Sequence, residues 1–279
     1  MILIADSGST KTFWAVVDQQ EDFTTIQTQG LNPYFTTPEQ THEIILRELV
    51  PDIDCQQVSA IHFYGAGCST EKYNNRIRDQ LHRFFPAARI DVHHDILGAA
   101  RALFGNKRGI ACILGTGSNS CYYDGSDIHS PIPSLGYLFG DEGAGSYLGK
   151  KFLSTYLKEE LPEEIRCAFD RQYHYKLEDI LTALYSKPFP NRFLASFSLF
   201  LHPMRDHPFI HDLICCSFLD FIKSHIFHYD HTTSYPIGFI GSIAFYYGDI
   251  LREAFISQGL AVNSILLSPL KGLVKYHRE

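Results

Sequence analysis

A turn near the start of the chain, Asp6-Ser7-Gly8-Ser9-Thr10-Lys11-Thr12, joins a carboxylate to a glycine, several hydroxyls and a lysine. Glycine lets backbone approach a ligand closely, and the hydroxyl, amide and ammonium groups are donors suited to phosphate oxygens. Alone, such a turn is no more than a surface hairpin could offer. The plan returns 109 residues later, however, where Ile113-Leu114-Gly115-Thr116-Gly117-Ser118-Asn119 repeats the order of Ile4-Ala5-Asp6-Ser7-Gly8-Ser9-Thr10. In both, a strand end leads into a hydroxyl residue, a glycine, a serine and a further polar residue. The repetition points to two related lobes, each offering a Gly/Ser turn at the end of its first strand, with one ligand held in a cleft between them.

Three further segments could carry chemistry. His93-His94-Asp95-Ile96-Leu97-Gly98-Ala99-Ala100 puts a carboxylate where a strand gives way to a helix. Asp95 there is either a helix cap or a base that accepts the proton of an attacking hydroxyl. Gly136-Tyr137-Leu138-Phe139-Gly140-Asp141-Glu142-Gly143-Ala144-Gly145-Ser146 sets two acids among four glycines ahead of a helix, so Asp141 or Glu142 is available to a hydroxyl or a metal-bound water. Pro236-Ile237-Gly238-Phe239-Ile240-Gly241-Ser242-Ile243-Ala244 is a buried strand entering a glycine turn, against which a base or ribose could lie. Two nucleotide motifs are excluded: Gly115-Thr116-Gly117 lacks the third glycine of a dinucleotide fingerprint, and Ala144 to Lys151 lacks the glycine and hydroxyl of a P-loop. Adjacent His93 and His94 point to opposite faces of a strand, and His225, His228 and His231 span more than one helix face, so neither set reads as a metal site.

The elements that position these residues alternate. Ile2 to Ala5, Thr12 to Val17 and Thr24 to Thr28 read as an antiparallel meander, followed by a helix from Pro38, a strand from Val58 to Tyr64, a helix from Thr70 to Phe85, a strand from Ile90 to Val92 and a helix from Asp95 to Gly105. At Gly109 the pattern restarts with strands Ile110 to Leu114 and Ser120 to Tyr123, which divides the chain into lobes of residues 1–106 and 107–279. Helices are expected near Tyr147 to Glu160, Leu177 to Tyr185, Phe193 to Leu201 and Ile210 to Tyr229, and strands at Ile237 to Ile240 and Ile265 to Leu267. The class is α/β, with a helix-rich insertion in the second lobe.

Charge and composition remove other function classes. The net charge is −7 and the Lys and Arg residues are scattered, so there is no electrostatic footprint for nucleic acid. The opening residues do not form a signal segment and no apolar run reaches the length of a membrane span, so the expected location is the cytoplasm. Seven cysteines without a CxxC spacing indicate neither a disulfide framework nor a zinc ribbon.

The ordered series Asp6 to Thr10, Asn32-Pro33, His94-Asp95 to Ala100, Gly115 to Asn119, Gly140 to Gly143 and Gly241-Ser242 resembles the acetate and sugar kinase, heat-shock protein and actin superfamily. Within it the chain is most similar to the N-acetylglucosamine kinase-like branch of the BadF/BadG ATPase family. The resemblance implies two ribonuclease H-like lobes in an actin-like ATPase fold, the last helix, about 269–279, packing back on the first lobe. It implies ATP and Mg2+ as cofactors and transfer of phosphate to a sugar hydroxyl, the sugar being N-acetylglucosamine or a related amino sugar. By motif position, Asp95 resembles the general base and Asp6 the carboxylate that holds magnesium through water. Ser9, Thr10 and Lys11 resemble the first phosphate loop; Gly115, Thr116, Gly117 and Ser118 the second; and Gly241 and Ser242 the adenosine turn. Asn32, Asn119 and Asp141 match positions that bind sugar hydroxyls or support their binding. Leu135 stands where N-acetylglucosamine kinases carry a tryptophan, Ser134 where they carry a glycine and Gly65 where the animal enzymes carry a serine, so the acceptor contacts differ from theirs. The resemblance allows a homodimer. Another member class, the ATPases that activate 2-hydroxyacyl-CoA dehydratases, would couple hydrolysis to a partner protein through an iron–sulfur cluster, for which no cysteine pair matches.

Overall fold

A computed structural model of the chain describes residues 1–18, 22–230 and 232–278. It divides into two compact units: residues 1–111, 121–129 and 268–279, and residues 112–120 and 130–267.

The first unit begins with β1 (Ile2–Ser7), β2 (Lys11–Val17) and β3 (Phe23–Gln29), an antiparallel meander. α1 (Pro38–Ile44) continues as a π-helical turn to Leu49, and β4 (Ala60–Gly65), α2 (Glu71–Phe84), β5 (Arg89–His94) and α3 (Asp95–Phe104) follow. The strand order is β3-β2-β1-β4-β5, with β4 parallel to both β1 and β5. Alternation along β1 sends Leu3 and Ala5 to one face, into a core with Trp14, Phe63, Ile77 and Leu81. It sends Ile4 to the other face, against Leu270, Leu273 and Val274 of the C-terminal helix. Because both faces are covered, β4 reads as a near-continuous apolar run rather than an alternating one.

β6 (Gly109–Leu114), β7 (Ser118–Tyr123) and β8 (Ile128–His129) start the second sheet. The helical segments α4 (Gly136–Phe139), α5 (Gly145–Leu157), α6 (Glu163–Gln172), α7 (Leu177–Tyr185), α8 (Pro190–Ser196), α9 (Ser198–Leu201) and α10 (Pro208–Ser224) come next. β9 (Ile237–Ile240), α11 (Ser242–Tyr246), α12 (Gly248–Ser257), β10 (Val262–Leu266) and α13 (Leu270–Arg278) complete the chain. The order β10-β9-β6-β7-β8 repeats that of the first sheet, three consecutive strands followed on the other side by two that come after a helical connection. The fold is therefore two mixed five-stranded α/β sheets on one plan. In the helix-rich segment Phe152, Phe169, Phe197 and Phe200 form a buried aromatic cluster, with Phe169 edge-on to Phe152 at 5.1 Å and to Phe200 at 5.2 Å.

Among the described residues, several elements lie outside the sequence expectations, α4 and α12 among them. β8 has only two residues, too few for a pattern, and α6 is a mostly polar helix with only Ile165 and Phe169 buried. The helix expected to run to Tyr229 ends at Ser224 and gives way to a 3-10 turn, Ile226–His228.

Candidate active site

The first unit brings Asp6 and Asp95 to the carboxyl ends of two of its parallel strands, β1 and β5. Asp6 is in register with Tyr64 of β4, and Tyr64 with His93 of β5, so Asp95 follows the end of β5, with β4 between it and the strand of Asp6. The two acids feel each other: burial, then the negative charge of Asp95, push the Asp6 carboxyl up to about 7. His94 occupies the cap position of α3 and Asp95 is the first helical residue, its Oδ1 accepting from the Ile96 N–H at 2.8 Å. His94 Nδ1 lies 2.6 Å from the same oxygen, a separation that requires a proton between them, so the ring nitrogen donates to Asp95. Burial alone would pull the His94 pKa down, but the charge and hydrogen bond of Asp95 outweigh it and leave the pKa raised.

The β1–β2 turn is closed by the Gly8 N–H donating to the Lys11 carbonyl at 2.9 Å, and the Gly30 N–H reaches the Thr10 carbonyl at 3.0 Å. Ser7 is committed internally: its hydroxyl pairs with Thr12 Oγ1 at 2.7 Å and accepts from the Leu31 N–H. Asn32 is buried, donates through Nδ2 to Ser9 Oγ at 2.8 Å and accepts through Oδ1 from the Tyr34 N–H at 3.0 Å. It thereby ties the turn to the loop after β3. Thr10 and Lys11 are exposed, Lys11 Nζ reaching Gln27 Oε1 at 3.5 Å.

In the second unit the β6–β7 turn is held by the glycine-rich loop. Gly115 N–H donates to the Gly117 carbonyl at 3.0 Å, Gly145 N–H to the Gly115 carbonyl at 2.9 Å and Ser146 N–H to the Thr116 carbonyl at 3.0 Å. Asp141, buried and at φ +60°, accepts from the Ser118 N–H through Oδ1 and from the Ser146 hydroxyl through Oδ2, both at 3.1 Å. Burial raises its pKa against those two hydrogen bonds. Ser118 Oγ is buried without a hydrogen-bond partner among the described residues, and Asn119 Oδ1 accepts from the Ser120 N–H at 2.9 Å. Gly241, between β9 and α11, has φ +122°, and a Cβ there would stand 2.3 Å from the Leu114 carbonyl oxygen, so only glycine lets this turn lie against β6.

The expected residues thus fall into two clusters, one per unit. Asp6, Ser9, Thr10, Lys11, Asn32 and Asp95 are in the first; Gly115 to Asn119, Asp141, Gly241 and Ser242 are in the second. Sequence reasoning missed His94 as the partner of Asp95 and Ser146 as a partner of Asp141. His231 of the histidine series lies outside the described residues.

Both clusters fit a magnesium nucleotide. Among the described residues no group of three or more His, Cys, Asp or Glu side chains could hold a metal ion by itself. The buried Asp6 carboxyl, whose ionised form the fold disfavours, suits a cation that keeps water and phosphate ligands, as Mg2+ does. The partnerless Ser118 hydroxyl, in a turn whose Gly115 has open space on its Cβ side, suits a ligand oxygen. Among the described residues no helix is long and apolar enough to cross a membrane.

No protein-family model and no curated protein sequence matches the chain. Solved structures do. A candidate N-acetylglucosamine kinase from Porphyromonas gingivalis is 42% identical, with TM-score 0.95, over 99% of this chain and 98% of its own. A second from Chromobacterium violaceum is 18% identical, with TM-score 0.76, over 99% and 98%. The fold also extends to a glucokinase of the ROK family from Streptomyces griseus, solved with glucose and AMPPNP, at 13% identity and TM-score 0.53 over 98% and 97%. At 42% identity over nearly its whole length, the chain belongs to the N-acetylglucosamine kinase-like branch of the BadF/BadG ATPase family, with the actin-like ATPase fold.

Proposed function

We propose that the protein is an ATP-dependent sugar kinase that transfers phosphate to a hydroxyl of N-acetylglucosamine or a related amino sugar, with Asp95 as its general base. The observation that carries this reading is the full-length, 42% identical likeness to a candidate N-acetylglucosamine kinase. The local geometry of both clusters supports it.

Asp95 accepts the proton of the acceptor hydroxyl as that oxygen bonds to phosphorus. His94, 2.6 Å from Asp95 Oδ1, fixes the carboxylate through one oxygen and leaves the other for the substrate. Asp6 and Ser9, Thr10 and Lys11 of the adjoining turn hold the phosphate end, and Gly115 to Ser118 add backbone amides and the Ser118 hydroxyl. Gly241 and Ser242 form the surface for the adenosine. Asn32, Asn119 and Asp141 serve the acceptor, Asn32 and Asp141 by ordering the loops they brace. When bound, MgATP supplies the phosphoryl group and neutralises the charge that develops on its oxygens. The reading places the reaction in the cytoplasm, needs no nucleic acid or membrane, and allows a homodimer.

The test is ADP release across a panel of amino sugars, their N-acetyl forms, muramic derivatives and neutral hexoses. Turnover should be slow without sugar and strongly accelerated by one class of acceptor. Fast ADP release that no sugar changes would instead indicate an ATPase coupled to another protein.

A further inference from the structure

The glycine-rich loop carries two adjacent acids, and the structure uses them differently. Each Asp141 oxygen already accepts a hydrogen bond within the protein, from the Ser118 amide and the Ser146 hydroxyl. Glu142 instead points toward α10, where its Oε2 faces His225 Nε2 at 3.6 Å, and it keeps 19% of its side chain exposed. His225 is 5% exposed and stacks on Phe221, with ring centroids 4.8 Å apart and planes inclined by 22°. Its Nδ1 is 3.3 Å from Ser120 Oγ, which lies 2.8 Å from the Tyr229 hydroxyl.

These contacts accommodate a chain of protons running toward Glu142. In it Tyr229 donates to Ser120, Ser120 donates to His225 Nδ1, and the ring, neutral because burial lowers its pKa, presents its Nε2–H to Glu142. The loop is pressed onto the same support: Gly143 has φ +76°, and a Cβ there would come within 3.0 Å of Phe221 Cβ. α10 therefore sets the place of Glu142 through both the His225 ring and the packing of Phe221. A half-buried carboxylate supported in this way and still reaching the surface is a built acceptor of hydrogen bonds. Its negative charge repels phosphate, so the partner it fits is a neutral hydroxyl.

Building on the sugar-kinase reading above, we propose that Glu142 accepts a hydrogen bond from a hydroxyl of the acceptor sugar, and that His225, backed by Ser120 and Tyr229, is the positioning residue that holds Glu142 for it. The 3.6 Å gap closes when the sugar binds, as hydrogen bonds in ligand-free sites commonly do.

The test is steady-state kinetics of four variants against sugar and ATP separately, with direct titration of the sugar in the absence of nucleotide. A hydrogen bond to a charged group is worth roughly one to two powers of ten in affinity. Glu142→Gln should therefore raise the sugar KM and Kd by about tenfold or more, while the ATP KM stays within about twofold. His225→Ala should do the same to a smaller degree. His225→Gln, whose amide N–H falls near the ring Nε2, should recover most of the loss. The double variant His225→Ala with Glu142→Gln should be no worse than Glu142→Gln alone, because both act through one contact. KM does not depend on how much of a variant is folded, so a destabilised His225→Ala still reports. Sugar affinities that stay unchanged, penalties that add, or losses confined to ATP would overturn the proposal and leave the kinase reading standing. Failure of the unaltered protein to phosphorylate any sugar would overturn both.

Discussion

Asp6 should make the ligand-free protein less stable than it could be. Its carboxyl is pushed from the ordinary 3.8 up to about 7, first by burial and then by Asp95. A raised folded-state pKa means that the protonated acid suits the fold and the ionised acid does not. The contribution is fully favourable below pH 3.8 and is lost progressively as pH rises through about 7. The shift of about three pKa units, at about 1.4 kcal/mol each, sets a ceiling of about 4 kcal/mol. Asp6→Asn removes the titration while keeping the shape. By urea unfolding without nucleotide and with a chelator present, the variant should exceed the unaltered protein by less than about 2 kcal/mol near pH 5 and by up to about 4 kcal/mol at pH 8.5. Asp95→Asn should recover a smaller part of the same difference, because it removes only the second cause. Magnesium with ATP should then raise the melting temperature of the unaltered protein more than that of Asp6→Asn. A variant no more stable at pH 8.5 than the unaltered protein, or a gap that does not change with pH, would refute the reasoning.

Three other outcomes are expected. Asp95→Asn should leave nucleotide binding intact and lower kcat by about a hundredfold or more, the scale of a lost general base, as read by coupled ADP release. For His94 the folded pKa is raised, so its contribution to stability is present below the ordinary 6.5 and fades as pH rises through the folded value; unfolding of His94→Ala should show a larger deficit at pH 5.5 than at pH 8.5. ATP with magnesium at a hundred times its Kd should stabilise the protein by about 2.7 kcal/mol, seen as a concentration-dependent rise in melting temperature, and substitutions at Ser9 and at Ser118 should each reduce that rise.

The repeated Gly/Ser turn was legible in the sequence because strand-end, glycine and hydroxyl positions recur in order, and the matching strand orders of the two sheets carry the same repetition. Strands and helices with a clear apolar period were legible too. α6 was not, since a helix with two buried residues has almost no amphipathic signal. The contact of His94 with Asp95 forms where the backbone turns from β5 into α3, and neither a strand period nor a helix period reports it. The facing of Glu142 and His225 is a long-range contact between a loop and the end of α10, and no local pattern reports it. Asp141 stood out in the sequence as an acid available to a hydroxyl; the two hydrogen bonds by which it also ties down Ser118 and Ser146 are visible only in three dimensions.

The central claim is transfer to a sugar, and mass spectrometry of the products tests it most directly. With ATP, magnesium and the accelerating sugar, the account predicts one sugar monophosphate formed for each ADP released, a product that Asp95→Asn forms at about a hundredth of the rate or less. ADP and free phosphate accumulating together, with every sugar of the panel recovered unmodified, would contradict it.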